Sequence, residues 1–156
     1  MVRPEGTQAF DSERAAKSYS NASLSIGYKT SIEAIVRKGL EPFLRNRKEK
    51  TTIFETGGGN GKSAGATQLL LESLGISGVK FVGTERSLEQ IREGNVTYNL
   101  ILFKIKKHKN LIPPLAQSKA EKLPIQSESV DVHMSSQVDH WIIPKEKLLE
   151  SYKEAY

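Results

Sequence analysis

The eleven residues Glu55-Thr-Gly-Gly-Gly-Asn-Gly-Lys-Ser-Ala-Gly65 constrain this chain more than any other stretch. They follow Thr51-Thr-Ile-Phe54, a short β-favouring run. They precede Ala66, Leu69, Leu70 and Leu74, whose spacing predicts an apolar helical stripe that stops at Gly75. Strand, glycine turn and helix in that order open a βαβ unit, and the turn lets a ligand lie against bare backbone.

Downstream the alternation continues. Val79-Lys-Phe-Val82 reads as a second strand, ending at Gly83-Thr-Glu85. Ser87-Leu-Glu-Gln90 is a capping box, and Leu88, Ile91, Ile101 and Ile105 suggest a long helix weakened at Gly94. Residues 110–117 hold a third strand at a sheet edge, because Pro113 and Pro114 cannot donate to a central ladder. Val130-Asp-Val-His-Met134 is a fourth, followed by a loop and a helical stretch from Pro144. Strands alternating with helices predict an α/β fold with a mainly parallel sheet. Upstream, residues 1–29 are polar and weakly periodic and read as an arm or lid, with Phe10 and Tyr19 as its anchors. Thr30-Ser-Ile-Glu33 fits a second capping box, and Gly39 and Pro42 are expected to break or kink the helix after it.

The 156 residues suit one domain with a real core. The absence of cysteine excludes a disulfide scaffold, a thiolate metal site and a cysteine nucleophile, and fits a reducing cytoplasm. No run reaches the roughly eighteen apolar residues of a membrane span, so no membrane role is expected. The net charge of +5 gathers in residues 45–50 and 104–109. Neither run interleaves aromatics for base stacking, so both read as solvated helix ends and nucleic acid is an unlikely partner.

Three ligand classes use such glycine turns. The phosphate-binding P-loop, G-x-x-x-x-G-K-[ST], finds its end in Gly61-Lys62-Ser63, but its first glycine would fall on Thr56. The dinucleotide fingerprint is met by Gly59, Gly61 and Ala64, with Glu85 about twenty residues on for a ribose. It leaves Glu55 facing a pyrophosphate. Read instead as acid-x-G-x-G-x-G, the stretch uses Glu55, Gly57, Gly59 and Gly61 together. That pattern suits an amino-acid end joined to a nucleoside without phosphate, namely S-adenosylmethionine. Both acids could alternatively serve only as partners for helix N-termini.

Four stretches in order, Ile53–Gly61, Phe81–Glu85, Ala120–Ile125 and Ser129–Ser136, resemble the class I (seven-stranded, Rossmann-like) S-adenosylmethionine-dependent methyltransferases. The likeness is greatest to the small-molecule branch related to the ubiquinone-biosynthesis enzymes. It implies an α/β sheet of order 3-2-1-4 with helices on both faces, without the last three strands of the family order 3-2-1-4-5-7-6. It places residues 30–156 in the ligand-binding domain. By the same resemblance Glu55, Thr56, Gly57, Gly59 and Gly61 line the methionine and ribose part, and Glu85 takes the ribose hydroxyls. Arg86 lies against the adenine, Ala120 and Glu121 border it, and Ser135 touches the methionine end. Lys119 stands where the family usually has an aspartate, which removes the usual acceptor for the adenine amino group. Asp139 and His140 fall at the start of the family's substrate loop and are the candidates for acceptor contact or proton removal, the acceptor being a small molecule. His133 is expected only to fill space. The outer edge of strand four is expected to pair with a second copy or a partner chain.

Overall fold

Strand β1 (Thr51–Thr56) is central and paired on both edges, which suits its run of β-branched and aromatic residues. The computed structural model describes residues 12–22, 26–47, 49–94, 115–120, 122–135, 146, 149–151 and 153. Within them a sheet of four parallel strands runs β3-β2-β1-β4, with β2 at Val79–Glu85, β3 at Leu115–Gln117 and β4 at Val132–Ser135. This is the order that the family resemblance implies. Glu55 aligns with Gly83 on one side and Met134 on the other, while Thr56 aligns with Thr84 and Ser135. The β3 edge position fits the prolines that precede it, although 111–114 lie outside the described residues.

The helices bury one face of this sheet. Ile53, Phe81 and Met134 meet Ile32, Val36, Leu40 and Leu44 from the N-terminal helices and Ala64 and Leu71 from the helix after the glycine turn. Phe54 and Thr84, which point the other way, are each 1% exposed, so β1 and β2 are closed on both faces at that level. A central strand of a parallel sheet needs that cover.

Local chemistry explains where several elements differ from the sequence reading. Helix α1 (Glu13–Ala22) forms in the weakly periodic N-terminal stretch and includes Tyr19. Ser12 caps it by accepting from the Ala15 amide, and Lys17 pairs with Glu13 one turn along. Helix α2 (Ile26–Ala34) begins before Thr30, so Thr30 is a helix-interior residue and not the expected cap. Gly39 and Pro42 do not break the chain here. A π-helical segment (Ile35–Leu40) leads directly into α3 (Glu41–Leu44), and Pro42 sits in the first turn of α3, where its missing N–H costs least.

Helix α4 (Lys62–Ser73) buries Ala64, Thr67 and Leu71, with Leu70 and Leu74 at the flank, while Ala66 and Leu69 face out. The expected stripe was therefore shifted in phase. Its stop is as expected. Gly75 at φ 76° takes the left-handed position, the Ile76 amide bonds to Leu71 O and the Gly75 amide to Glu72 O. Arg45 and Arg47, from the first basic run, follow α3 and pair with Glu41 and Asp131. The second run, 104–109, lies outside the described residues. Among the described residues, no helix is long and apolar enough to cross a membrane.

Candidate functional site

The glycine turn sits at the carboxyl ends of β1 and β2, where open α/β sheets place their ligands. Gly57, Gly59 and Gly61 have φ values of 64°, 57° and 77°, a left-handed alternation that side chains resist. Gly58 is constrained differently. A methyl group on it would come 3.0 Å from Leu115 Cδ2 and 3.4 Å from Glu55 Oε2. The turn is tied to β2 through the Gly58 amide, which donates to Thr84 O at 2.8 Å.

Two carboxylates hold this turn from neighbouring strands. Glu85, at the tip of β2, accepts the Gly59 amide on Oε2 at 2.9 Å and the Ser87 amide on Oε1 at 2.8 Å. Glu55, near the tip of β1, is 1% exposed and accepts from the Ser63 hydroxyl on Oε1. Its Oε2 is buried without a hydrogen-bond partner. Burial pushes the Glu55 carboxyl up to about 7; the Ser63 bond pulls it down and the nearby Glu85 charge adds to the rise.

Beyond Glu85 a cleft of about 530 Å³ opens between the end of β2 and the end of β3. Arg86, Ser87, Leu88 and Glu89 line one side, and Gln117, Ser118 and Lys119 the other. Its walls are joined by backbone. The Ser118 amide donates to Glu85 O at 3.0 Å, and the Gln117 side chain donates to Arg86 O at 3.0 Å. A short turn follows, in which the Lys122 amide donates to Lys119 O and brings Ala120 to the end of β3.

No protein-family model matches the sequence, and no curated protein matches it. Solved structures do. A Methanococcus maripaludis protein described as an S-adenosylmethionine-dependent methyltransferase matches at TM-score 0.62 and 15% identity, over 97% of this chain and 61% of its own. A Haloferax volcanii protein described as a methyltransferase, in complex with the Trm112 methyltransferase activator, matches at 0.62 and 16%, over 94% and 54%. Phosphoethanolamine N-methyltransferase 2 of Haemonchus contortus, bound to phosphomonomethylethanolamine and S-adenosylhomocysteine, matches at 0.62 and 16%, over 97% and 33%.

The chain has the class I methyltransferase fold. It spans between 33% and 61% of the length of these three structures. Within that fold, Glu55, Gly57, Gly59, Gly61 and Glu85 are brought together around one turn, and Arg86 and Lys119 both line the adjoining cleft. Thr56 lies one strand over from Ser135 and hydrogen-bonds His133 Nε2 at 2.7 Å. His133 therefore does more than fill space, since it also stacks on Phe54 with ring centroids 6.0 Å apart. Ser135 is the last residue of β4 and not beyond it. Glu121, Asp139 and His140 lie outside the described residues.

The sequence reading missed two residues around this turn. Ser63, noticed only as the end of a P-loop pattern, is the partner of Glu55. That leaves the hydroxyl engaged where a P-loop would direct it at a metal-bound phosphate. Gly94, read as a helix weakness, lies where a methyl group would stand 2.6 Å from Asn60 O. The helical stretch 88–94 thus packs directly on the glycine turn, and only glycine permits that approach.

Proposed function

We propose that this chain is the donor-binding portion of an S-adenosylmethionine-dependent methyltransferase whose acceptor is a small molecule. The observation that carries the reading is the convergence of Glu55 and Glu85 on one left-handed glycine turn beside a nucleoside-sized cleft. Glu85 accepts the ribose hydroxyls. Two backbone bonds, from the Gly59 and Ser87 amides, fix its direction. Arg86 lies over the base, with Ala120 and Glu121 at its border. Glu55, Thr56 and the glycines surround the methionine end, with Ser135 on the neighbouring strand.

When bound, S-adenosylmethionine supplies an electrophilic methyl group on a sulfonium. The residues named have the task of aligning it and excluding water, and such positioning is worth roughly 7–11 kcal/mol in favourable cases. Asp139 and His140 are proposed for acceptor contact and, where the acceptor must lose a proton, for removing it. The phosphomonomethylethanolamine bound by the Haemonchus contortus protein supports a small polar acceptor here. The activator held by the Haloferax volcanii protein supports a partner chain, which we place with a second copy as an occupant of the β4 edge. The absence of cysteine supports a reducing compartment such as the cytoplasm.

A nicotinamide-dependent oxidoreductase is the second reading, favoured by the Gly59, Gly61, Ala64 and Glu85 spacing. Buried Glu55 beside the turn opposes it, because a pyrophosphate would only hold that acid protonated, whereas a cationic amino-acid end gains from its carboxylate. A binding module without catalysis keeps the same donor site. Calorimetric titration of the purified chain with S-adenosylhomocysteine and with NAD separates these readings. Binding of the first that is lost in Glu85→Ala is expected, and binding of NAD alone would overturn the proposal. A methyl-transfer assay then separates enzyme from module.

A further inference from the structure

Of the sequence motif Gly61-Lys62-Ser63, donor binding uses only the glycine, yet Lys62 and Ser63 are both buried in the first turn of α4. We propose that Ser63 is a positioning residue of the donor site: its hydroxyl holds Glu55 with the second carboxylate oxygen against the glycine turn, and so couples capture of a cationic group there to release of a proton. This inference rests on the donor-site reading above.

The geometry supplies each part. Ser63 Oγ donates to Glu55 Oε1, while Oε2 is buried, without a partner and beside Gly58. A buried acid with one neutral donor is poorly stabilised as an anion. Among the described residues, the charged group that shifts Glu55 is Glu85, another acid. The other elements packed around it present Met134 in register from β4 and Leu115, beside Gly58, from β3. Lys62, the nearest cation in sequence, has Glu93 as its electrostatic partner. An ammonium or sulfonium arriving at the turn therefore favours the carboxylate, and the displaced proton goes to solvent.

The sign follows directly. A cation binds the ionised form better, so affinity rises as pH rises through the region where Glu55 titrates, about 7. Removing the Ser63 hydroxyl removes a bond to the charged form and moves that rise to higher pH.

The test is calorimetry of S-adenosylhomocysteine with the full chain between about pH 6 and about pH 8.5, in two buffers of different protonation heat. Wild type is expected to tighten about tenfold across the range and to release a proton on binding. Ser63→Ala is expected to bind about tenfold more weakly near pH 7 and to approach wild type at the alkaline end. Ser63→Thr, which keeps the hydroxyl, is expected to restore the wild-type profile. A wild-type affinity that is flat with pH, or a loss in Ser63→Ala equal at every pH, would overturn the inference and leave the donor site standing. Absence of S-adenosylhomocysteine binding by wild type at every pH would overturn both.

Discussion

The interior of this chain divides into two regions built on opposite principles. Under the middle of β1 and β2, Ile53 and Phe81 pack against Val36, Leu40 and Leu71, a mainly aliphatic and aromatic core in which Thr67 of α4 buries a single unpaired hydroxyl. Two or three residues further along the same strands the buried side chains are Glu55, Thr56 and Thr84, joined by Asn60, Ser63, Ser87 and Gln90. Of these, Glu55 Oε2 and both polar atoms of the Gln90 amide lack hydrogen-bond partners. Packing alone does not account for such a cluster, because each unsatisfied polar atom costs about 1–3 kcal/mol. The first region holds the sheet together. The second gives up stability, which the proposed donor site would account for by directing these polar groups at a ligand.

The contrast can be broken most forcefully in the apolar region. Leu71→Ala is expected to lower unfolding free energy by about 2–5 kcal/mol, equally at acid and alkaline pH, as read from urea midpoints. Glu55→Gln is expected to behave differently. The folded-state pKa of Glu55 is raised to about 7 from 4.5, so the native chain binds more protons than the unfolded one between those values. Stability contributed by the protonated form is therefore present below about pH 4.5 and is lost as pH rises towards 7. The penalty above pH 7 is about 3 kcal/mol at most, since each pKa unit is about 1.4 kcal/mol. Glu55→Gln should remove that pH dependence and be more stable than wild type at about pH 8. Equal pH profiles for the two proteins would contradict the placement of Glu55.

Smaller changes sharpen the boundary between the regions. A methyl group at Gly83 would stand 2.7 Å from the Glu55 carbonyl oxygen, so Gly83→Ala must push β1 and β2 apart at the turn. A loss of about 1–3 kcal/mol is expected by thermal unfolding, with ligand affinity falling more than stability alone accounts for. Ser87 caps helix 88–94 by accepting from the Gln90 amide at 3.3 Å, and Ser87→Ala should cost about 1 kcal/mol in urea unfolding. The reciprocal half of that capping box is absent, since the Gln90 side chain makes no hydrogen bond. Gln90→Leu should therefore stabilise the chain or leave it unchanged, and a large loss would show that the amide has an unrecognised partner.

The division also explains what could be read from the sequence. The strands, the glycine turn and both carboxylates were legible because each depends on local signals: β-favouring runs, φ-demanding glycines, and acids at strand ends. The strand order was implied by the family resemblance, with the edge place of β3 readable from its prolines. The phase of α4 was not legible, because it depends on non-local contacts: Ser63 on Glu55, and Ala64 and Leu71 in the core. Gly94 carries no local sign of its packing on Asn60, since a glycine in a helix reads as a weakness until its neighbour is known. Pro42 was a clear signal with an ambiguous consequence, because a π-helical segment upstream absorbs the disruption as readily as a break does. The buried bond from Ser63 to Glu55 hid behind a familiar motif with a different meaning.

A structure of the chain with S-adenosylhomocysteine bound tests the central claim most directly. The account expects the ribose hydroxyls on Glu85, the base between Arg86 and the Ser118-Lys119 wall, and the amino-acid end at the turn above Glu55. A ligand lodged elsewhere, with no ribose hydroxyl on Glu85, would contradict it.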